Sequence, residues 1–195
     1  MESDPLLVIA TGSSATIILS AYLTELKVAL EHEVTVLMTK SAERFVSPEV
    51  VGWFADRVLT TDTPGLNPVE IALKAKAVVV LPATANTLSS VALGLMATPA
   101  TTALGAAPSP SLYFPHMNGA IWEKPIVQQH VATLRARGDT VVAPTEGTHF
   151  EIWRGAKHVG MSMPGPAATA SIVRDWLRSD PQLYPCPTPD ASSAR

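Results

Sequence analysis

Cysteine is almost absent from this 195-residue chain. A lone Cys186 cannot form an intramolecular disulfide, which excludes the stapled architectures of small secreted domains. Charge is sparse as well: only 16% of residues are charged, and 14 basic against 17 acidic side chains leave a net charge of −3. Neither Lys nor Arg clusters along the chain, so the electrostatic footprint of a nucleic-acid binder is missing. Long apolar runs are missing too. The stretch from Ala75 to Ala85 is interrupted by Lys76 and Pro82, well short of the ~20 apolar residues a membrane span needs. Met1-Glu2-Ser3-Asp4-Pro5 is acidic, unlike the basic start of a secretory signal. The expected setting is cytoplasmic, with neither a membrane nor a nucleic acid as partner. Hydrophobic side chains, by contrast, make up 47%, enough for one well-buried domain and opposite to the composition of disordered chains.

Short apolar runs bounded by turn residues recur at Leu6 to Thr11, Val34 to Thr39, Ala77 to Ala83, Ser111 to Phe114 and Thr140 to Ala143. They are continuous rather than alternating, as strands buried on both faces of a parallel sheet are. Between them the apolar side recurs every three or four residues. This spacing predicts helices over 17–31, 85–96, 121–137 and 167–177. The alternation implies right-handed βαβ crossovers and hence an α/β, three-layer sandwich of the Rossmann or flavodoxin kind, with a central parallel sheet. Residues 1–178 are expected to form the domain. Residues 179–195, holding Pro181, Pro185, Pro187 and Pro189, lack periodicity and read as a flexible tail.

Ligands of open α/β sheets bind beyond the carboxyl ends of the strands, so the loops there carry the functional signal. Ala10-Thr11-Gly12-Ser13-Ser14 leaves the first strand and opens a helix, offering a glycine, hydroxyls and unpaired helix N–H groups to an anion. The Gly-x-Gly-x-x-Gly fingerprint and the Gly-Lys pair of a Walker loop are both missing, which points to one phosphate rather than two. The same loop also reads as a plain Ser N-cap. Thr39-Lys40-Ser41 adds hydroxyls and a cation after the second strand, favouring a mononucleotide. Two further loops each place an Asn among small or apolar residues: Pro82-Ala83-Thr84-Ala85-Asn86-Thr87 and Pro115-His116-Met117-Asn118-Gly119-Ala120-Ile121-Trp122. An amide buried without partners costs about 1–3 kcal/mol, so a ligand is one reading of each. For Asn86 a helix N-cap is the other.

Other chemistries find little support. His32, His116, His130, His149 and His158 show no His-x-x-x-His or Cys pairing, so no metal site is expected. No Gly-x-Ser-x-Gly elbow supports a hydrolase. Trp53, Trp153 and Trp176 read as packing residues.

The two Asn loops, with their spacing, resemble the PASANT and PxMNxxMW signatures of the homo-oligomeric flavin-containing cysteine decarboxylases, over a span from about Leu6 to Pro164. Thr84 stands where that family has Ser, and Ile121 where it has Met. The resemblance implies FMN rather than FAD, bound at a subunit interface of a homotrimer that can assemble into a dodecamer. Position by position, it implies that Gly12, Ser13 and Ser14 face the ribityl phosphate, with hydroxyls from Thr39 and Ser41. Thr84, Ala85, Asn86 and Thr87 would line the flavin, His116 would meet it through its backbone, and Asn118 would hold the substrate carboxylate beside Met117.

One branch of the family decarboxylates phosphopantothenoylcysteine and carries a reducing cysteine in a Gly-rich segment after the last strand. The other oxidatively decarboxylates the C-terminal cysteine of a ribosomal precursor peptide, giving the aminoenethiol of an aminovinyl-cysteine ring. Here the segment Gly147 to Gly155 has no cysteine. Phe150, Ile152 and Met163 resemble parts of the peptide branch's substrate clamp, although the glycines also suit an ordinary hairpin. The family's catalytic His position is occupied by Pro68, which takes no proton. Neighbouring Asn67 and Glu70 are candidate substitutes. The alternatives are a flavin-binding subunit of weak or no activity that supports a partner enzyme, and the phosphopantothenoylcysteine enzyme.

Overall fold

Strand β1 (Leu6–Ala10) is buried along its whole length, and successive side chains serve opposite layers. Leu6, Val8 and Ala10 enter one core cluster, Leu7 and Ile9 the other. Each large apolar side chain buried this way contributes about 1.5–3 kcal/mol, which is why the strand is apolar at every position. The computed structural model describes residues 4–108, 110–151 and 154–179.

A short 3-10 stretch (Ser14–Ile18) leads from β1 into α1 (Leu19–Ala29), followed by β2 (Val34–Met38), α2 (Pro48–Val51), β3 (Arg57–Thr60) and α3 (Pro68–Leu73). Next come β4 (Ala77–Ala83), α4 (Ala85–Ala92), α5 (Pro99–Ala106) and β5 (Leu112–Pro115). Then follow α6 (Gly119–Trp122), α7 (Pro125–Ala136), β6 (Thr140–Val141), β7 (Thr145–Glu151), β8 (Ala156–Ser162) and α8 (Pro166–Ser179). Six strands pair in parallel in the order β3-β2-β1-β4-β5-β6. This order is a doubly wound one, within the α/β, three-layer class anticipated from the alternation of runs and helices. Helices α1 and α8 pack together on one face, where Tyr22 donates to the carbonyl of Pro164 at 3.0 Å. Side chains of α4 and α7 join the cluster on the other face.

Several expectations change in detail. The predicted helix over 121–137 is two helices, because Pro125 occupies the first turn of α7 and lacks the N–H a continuous helix would need. Residues 147–151 lie in β7, which pairs antiparallel with β8, and Gly155, just before β8, takes φ +62°. Trp53 is 75% exposed, beyond the end of α2, so the packing role expected of it does not hold. Trp176 does pack against the core, and Trp153 lies outside the described residues. Helix α8 ends at Ser179; the rest of the expected tail, with Cys186, also lies outside them. No helix among the described residues is long and apolar enough to cross a membrane.

Asp139 joins α7 to the sheet. Its carboxylate accepts a hydrogen bond from Ser111 N–H at 2.9 Å, beside β5, and Arg137 Nε lies 2.9 Å from its other oxygen. Burial raises its pKa above the ordinary 3.8, against the opposing pull of the Ser111 bond and Arg137. Asp139→Ala strands the Ser111 N–H and should cost about 1–3 kcal/mol in urea unfolding, whereas Asp139→Asn keeps the acceptor and should cost less. The folded chain holds this proton to a higher pH than the unfolded chain does. The contribution of Asp139 to stability therefore falls as pH rises from 3.8 through the folded value, a slope the Asn variant should lack.

Candidate active site at the strand carboxyl ends

Strands β1 and β4 are neighbours, yet the chain leaves them toward opposite faces of the sheet, so a crevice opens between their carboxyl ends. Thr11, fully buried, closes its floor: its hydroxyl donates to the carbonyl of Pro82 at 2.7 Å and accepts from Thr84 N–H at 3.1 Å. The loops on either side are tied in as well. Thr39 N–H donates to Ala10 at 3.0 Å, and His116 N–H to Ala83 at 2.9 Å.

Two recesses meet over this floor. The larger, about 490 Å³, is lined by Thr11, Gly12, Thr39, Lys40, Ser41, Thr84, Asn86 and Thr87, and by Thr61, Ser90, Ala97, Thr98, Ala100 and Thr101. The smaller, about 310 Å³, is lined by Gly12, Ser13, Ser14, Thr84, Ala85, Asn86, His116, Met117, Asn118 and Ile121. Gly12, Thr84 and Asn86 border both. All ten expected cofactor residues, with Met117 and Asn118, thus fall on one groove. Thr61, Thr98 and Thr101 were missed, although Thr98-Pro99-x-Thr101 is a readable capping box with Pro in the first turn.

Local chemistry separates groups already engaged from groups still open. Ser13 occupies an N-cap position but caps nothing; its hydroxyl lies 2.6 Å from His116 Nδ1. The plain N-cap reading therefore fails for Ser13. Thr84 is the cap of α4, accepting from Thr87 N–H at 3.3 Å, which removes that role from Asn86. Asn86 is exposed, and its side chain has no hydrogen-bond partner among the described residues; the same holds for the hydroxyls of Ser14 and Ser41. Thr39 Oγ1 donates to Ala10 O at 3.2 Å. Lys40 pairs with Asp62 and Glu43, and the Asp62 bond above all raises its pKa, keeping a cation at the groove. Asn118 caps α6: its Oδ1 accepts from Ala120 N–H at 2.8 Å. A backbone N–H can only donate, so the oxygen is turned inward and the NH₂ donors are left for a ligand.

Other expected residues lie elsewhere. Pro68 starts α3, capped by Asn67, whose side chain accepts from Glu70 N–H at 3.2 Å. Asn67 and Glu70 line a separate cavity of about 220 Å³ with Leu7, Thr35 and Arg57. Glu70 is paired with Lys74 at 2.6 Å, a bond that lowers its pKa and makes it a poorer base. Met163 is 6% exposed and packed in the core beside α1 and α8, away from the groove; Met161 packs in the opposite cluster and lies nearest Gly119. Phe150 lies in β7, its side chain outside the described set, and Ile152 is outside the described residues. No group of His, Cys, Asp and Glu suited to a metal occurs among the described residues.

Gly12 is required for space. An added Cβ would lie 2.3 Å from Ser41 Cβ and 3.0 Å from its carbonyl carbon, forcing the two loops apart. Gly12→Ala should cost about 1–3 kcal/mol, read as a lowered melting temperature. Gly119→Ala, whose Cβ would meet only Met161 Cγ at 4.0 Å, should be close to neutral.

The family model described as Flavoprotein matches residues 1–162. Mersacidin decarboxylase of Bacillus sp. (strain HIL-Y85/54728) is 31% identical over 175 residues, 87% of this chain and 90% of the relative. An EpiD variant solved with the substrate peptide DSYTC superimposes with TM-score 0.79 at 28% identity, covering 89% of this chain and 96% of that one. The FMN-dependent cysteine decarboxylase SpaF gives TM-score 0.72 at 27% identity, covering 89% and 98%. With more than four-fifths of its length inside the matched model, on a sheet of the same kind, the chain belongs to the Flavoprotein family.

Proposed function

We propose that this chain is an FMN-dependent peptidyl-cysteine decarboxylase, acting on the C-terminal cysteine of a ribosomally made precursor peptide. The observation that carries the reading is the outward-facing NH₂ of Asn118, held by its cap bond in a recess that shares three residues with a groove of mononucleotide size. The groove fits FMN on its own chemistry. Its larger recess, 490 Å³, lies within the range of about 300–1,000 Å³ of small-molecule sites, with an open hydroxyl at Ser41, a cation at Lys40 and an open amide at Asn86, and Ser14 adds a hydroxyl from the adjoining smaller recess. Phosphate suits the hydroxyls and the cation, and a polar ring edge suits the amide.

A bound flavin supplies a two-electron acceptor. The protein groups do the rest. Asn118 holds the terminal carboxylate with neutral donors, while Met117 and Ile121 give the recess apolar walls. Oxidation of the cysteine at Cβ and sulfur creates a C=S bond one carbon from the carbon bearing the carboxylate. When CO₂ leaves, the sulfur takes up the electron pair as an enethiolate. A cationic clamp would over-stabilise the carboxylate relative to the transition state, which a neutral amide avoids.

The Gly147 to Gly155 segment holds no cysteine with which to reduce that product, which favours the peptide reaction over phosphopantothenoylcysteine. Leu93, Leu95 and Met96, beside the groove, are 63%, 53% and 55% exposed, an apolar face that trimeric assembly would cover. Cytoplasmic action beside other biosynthetic enzymes fits the same reading.

Purified protein should be yellow and release a compound of FMN mass. A peptide ending in Cys should lose about 46 Da, as CO₂ and two hydrogens, in mass spectrometry. Loss of CO₂ alone identifies the reductive branch, and an unaltered peptide with flavin bound identifies a binding subunit. Asn118→Ala should abolish turnover with flavin retained, at a cost of about 1 kcal/mol for the lost cap.

A further inference from the structure

We infer that the cavity between α3 and the β3 edge of the sheet is a second binding site, for a small branched aliphatic monocarboxylate that carries no amino group. It lies apart from the groove. Its floor is a row of side chains near the amino-terminal ends of three strands, whereas the groove opens beyond the carboxyl ends. In that row Leu7 of β1 stands opposite Thr35 of β2, and Thr35 opposite Arg57 of β3, in parallel register. Neighbouring strands lie about 4.8 Å apart, so the three side chains stand side by side on one face. Leu7 belongs to the core cluster of that face, as do Leu37 and Leu59 one row further on.

Thr35 breaks the pattern of its strand. β2 reads Val-Thr-Val-Leu-Met and is buried throughout, and Thr35 is 8% exposed, yet its hydroxyl has no hydrogen-bond partner among the described residues. Buried hydroxyls are costly when unpaired, and a Val of nearly the same shape would avoid that cost. Thr35 lines the cavity, so its open hydroxyl borders a space that a partner can fill.

The second open group is Arg57, exposed at the sheet edge, whose guanidinium makes no hydrogen bond among the described residues. The other charges on the cavity lining cancel, since Lys74 Nζ lies 2.6 Å from Glu70 Oε1. Arg57 therefore leaves the lining with a positive charge in excess, on a planar fork that matches a carboxylate. Asn67 adds donors at the mouth: its oxygen accepts from Glu70 N–H at 3.2 Å, which leaves its NH₂ for a ligand.

What completes the ligand follows from the remaining walls. Leu7, Leu59, Leu66 and Ile71 are apolar and suit a hydrocarbon body, which a phosphate would not supply. At about 220 Å³ the cavity is smaller than the range of about 300–1,000 Å³ of drug-sized sites, so the occupant is a short chain with its carboxylate. An amino group has no counter-ion there: Glu70, the one acid on the lining among the described residues, is taken by Lys74.

The probe is isocaproate, added to the full chain as purified and followed by methyl resonances assigned by substitution. Those of Leu7, Leu59 and Ile71 should shift saturably, with a Kd on the order of 1 mM for so small a ligand. Acetate lacks the apolar body, isocaproamide lacks the charge and leucine adds an ammonium, so each should bind about tenfold or more weakly. Arg57→Gln, at an exposed position, should weaken isocaproate about tenfold. Thr35→Val should weaken it about threefold or more, while the melting temperature without ligand holds or rises. A threonine with a purely structural role would give the reverse, a lowered melting temperature and an unchanged affinity. The absence of a saturable shift in these methyls, equal affinity for the amide, or an affinity indifferent to both substitutions overturns the inference. Shifts confined to Met117 and Ile121 would put the carboxylate in the groove and overturn it too. None of these outcomes turns on whether the chain decarboxylates a peptide.

Discussion

The site depends on a single buried hydroxyl. Parallel strands β1 and β4 are paired as far as Ile9 and Val80, and beyond that point their backbones part to reach helices on opposite faces. A crevice between diverging strands leaves peptide groups without sheet partners, each a cost of about 1–3 kcal/mol when buried. Thr11 meets two of them at once, donating to Pro82 O and accepting from Thr84 N–H. A threonine can do this because its hydroxyl is both donor and acceptor, and because burial at 1% exposure removes water as a competitor. Ser or Cys would leave the γ-methyl space unfilled, and Val would leave both peptide groups stranded. With the floor held, the loops carrying Gly12, Thr39, Thr84 and His116 meet at fixed distances.

Hydrogen-bond accounting separates structural from functional polar groups in a way that residue type alone does not. Thr39, Thr84 and Thr87 belong to motifs that suggest ligand contact, yet their hydroxyls bond within the protein, shaping loops and helix starts. Ser14, Ser41 and Asn86, from the same motifs, have no side-chain hydrogen-bond partner among the described residues. Asn118 does both jobs. Its oxygen caps the start of α6, and that bond leaves the NH₂ end of the amide for other partners.

Much of this was legible in the sequence because the signals are local. Continuous apolar runs mark strands covered on both faces, and β1, β2, β4 and β5 are indeed buried at every position. Strand β3 gave no such signal: at the sheet edge, with Arg57 exposed, it is too short and too half-buried to stand out. The loops after β1, β2, β4 and β5 were found because strand ends announce themselves. Thr98 and Thr101 were not, since α5 reaches the groove only through the way α4 and α5 fold back on the sheet, a tertiary fact. The same limit explains Met163 and Met161. Two residues apart, they fall into clusters on opposite faces of the sheet, and the sequence does not say which of the two turns toward the site.

The pairing of Ser13 with His116 is the least local feature of all, linking residues 103 positions apart. Among the described residues that line the groove, Lys40 and His116 are the ionisable ones. A carboxylate that must leave as CO₂ is best held by groups that do not favour its negative charge too strongly. Amide donors at Asn118 meet that demand in the smaller recess. A cation is confined to Lys40, in the larger recess, where it suits a phosphate and is neutralised in part by Asp62 and Glu43. Moving that charge into the smaller recess would favour the carboxylate ground state. Among the described residues the groove keeps its lysine in the larger recess and the amide donors of Asn118 in the smaller, as the two halves of the chemistry ask.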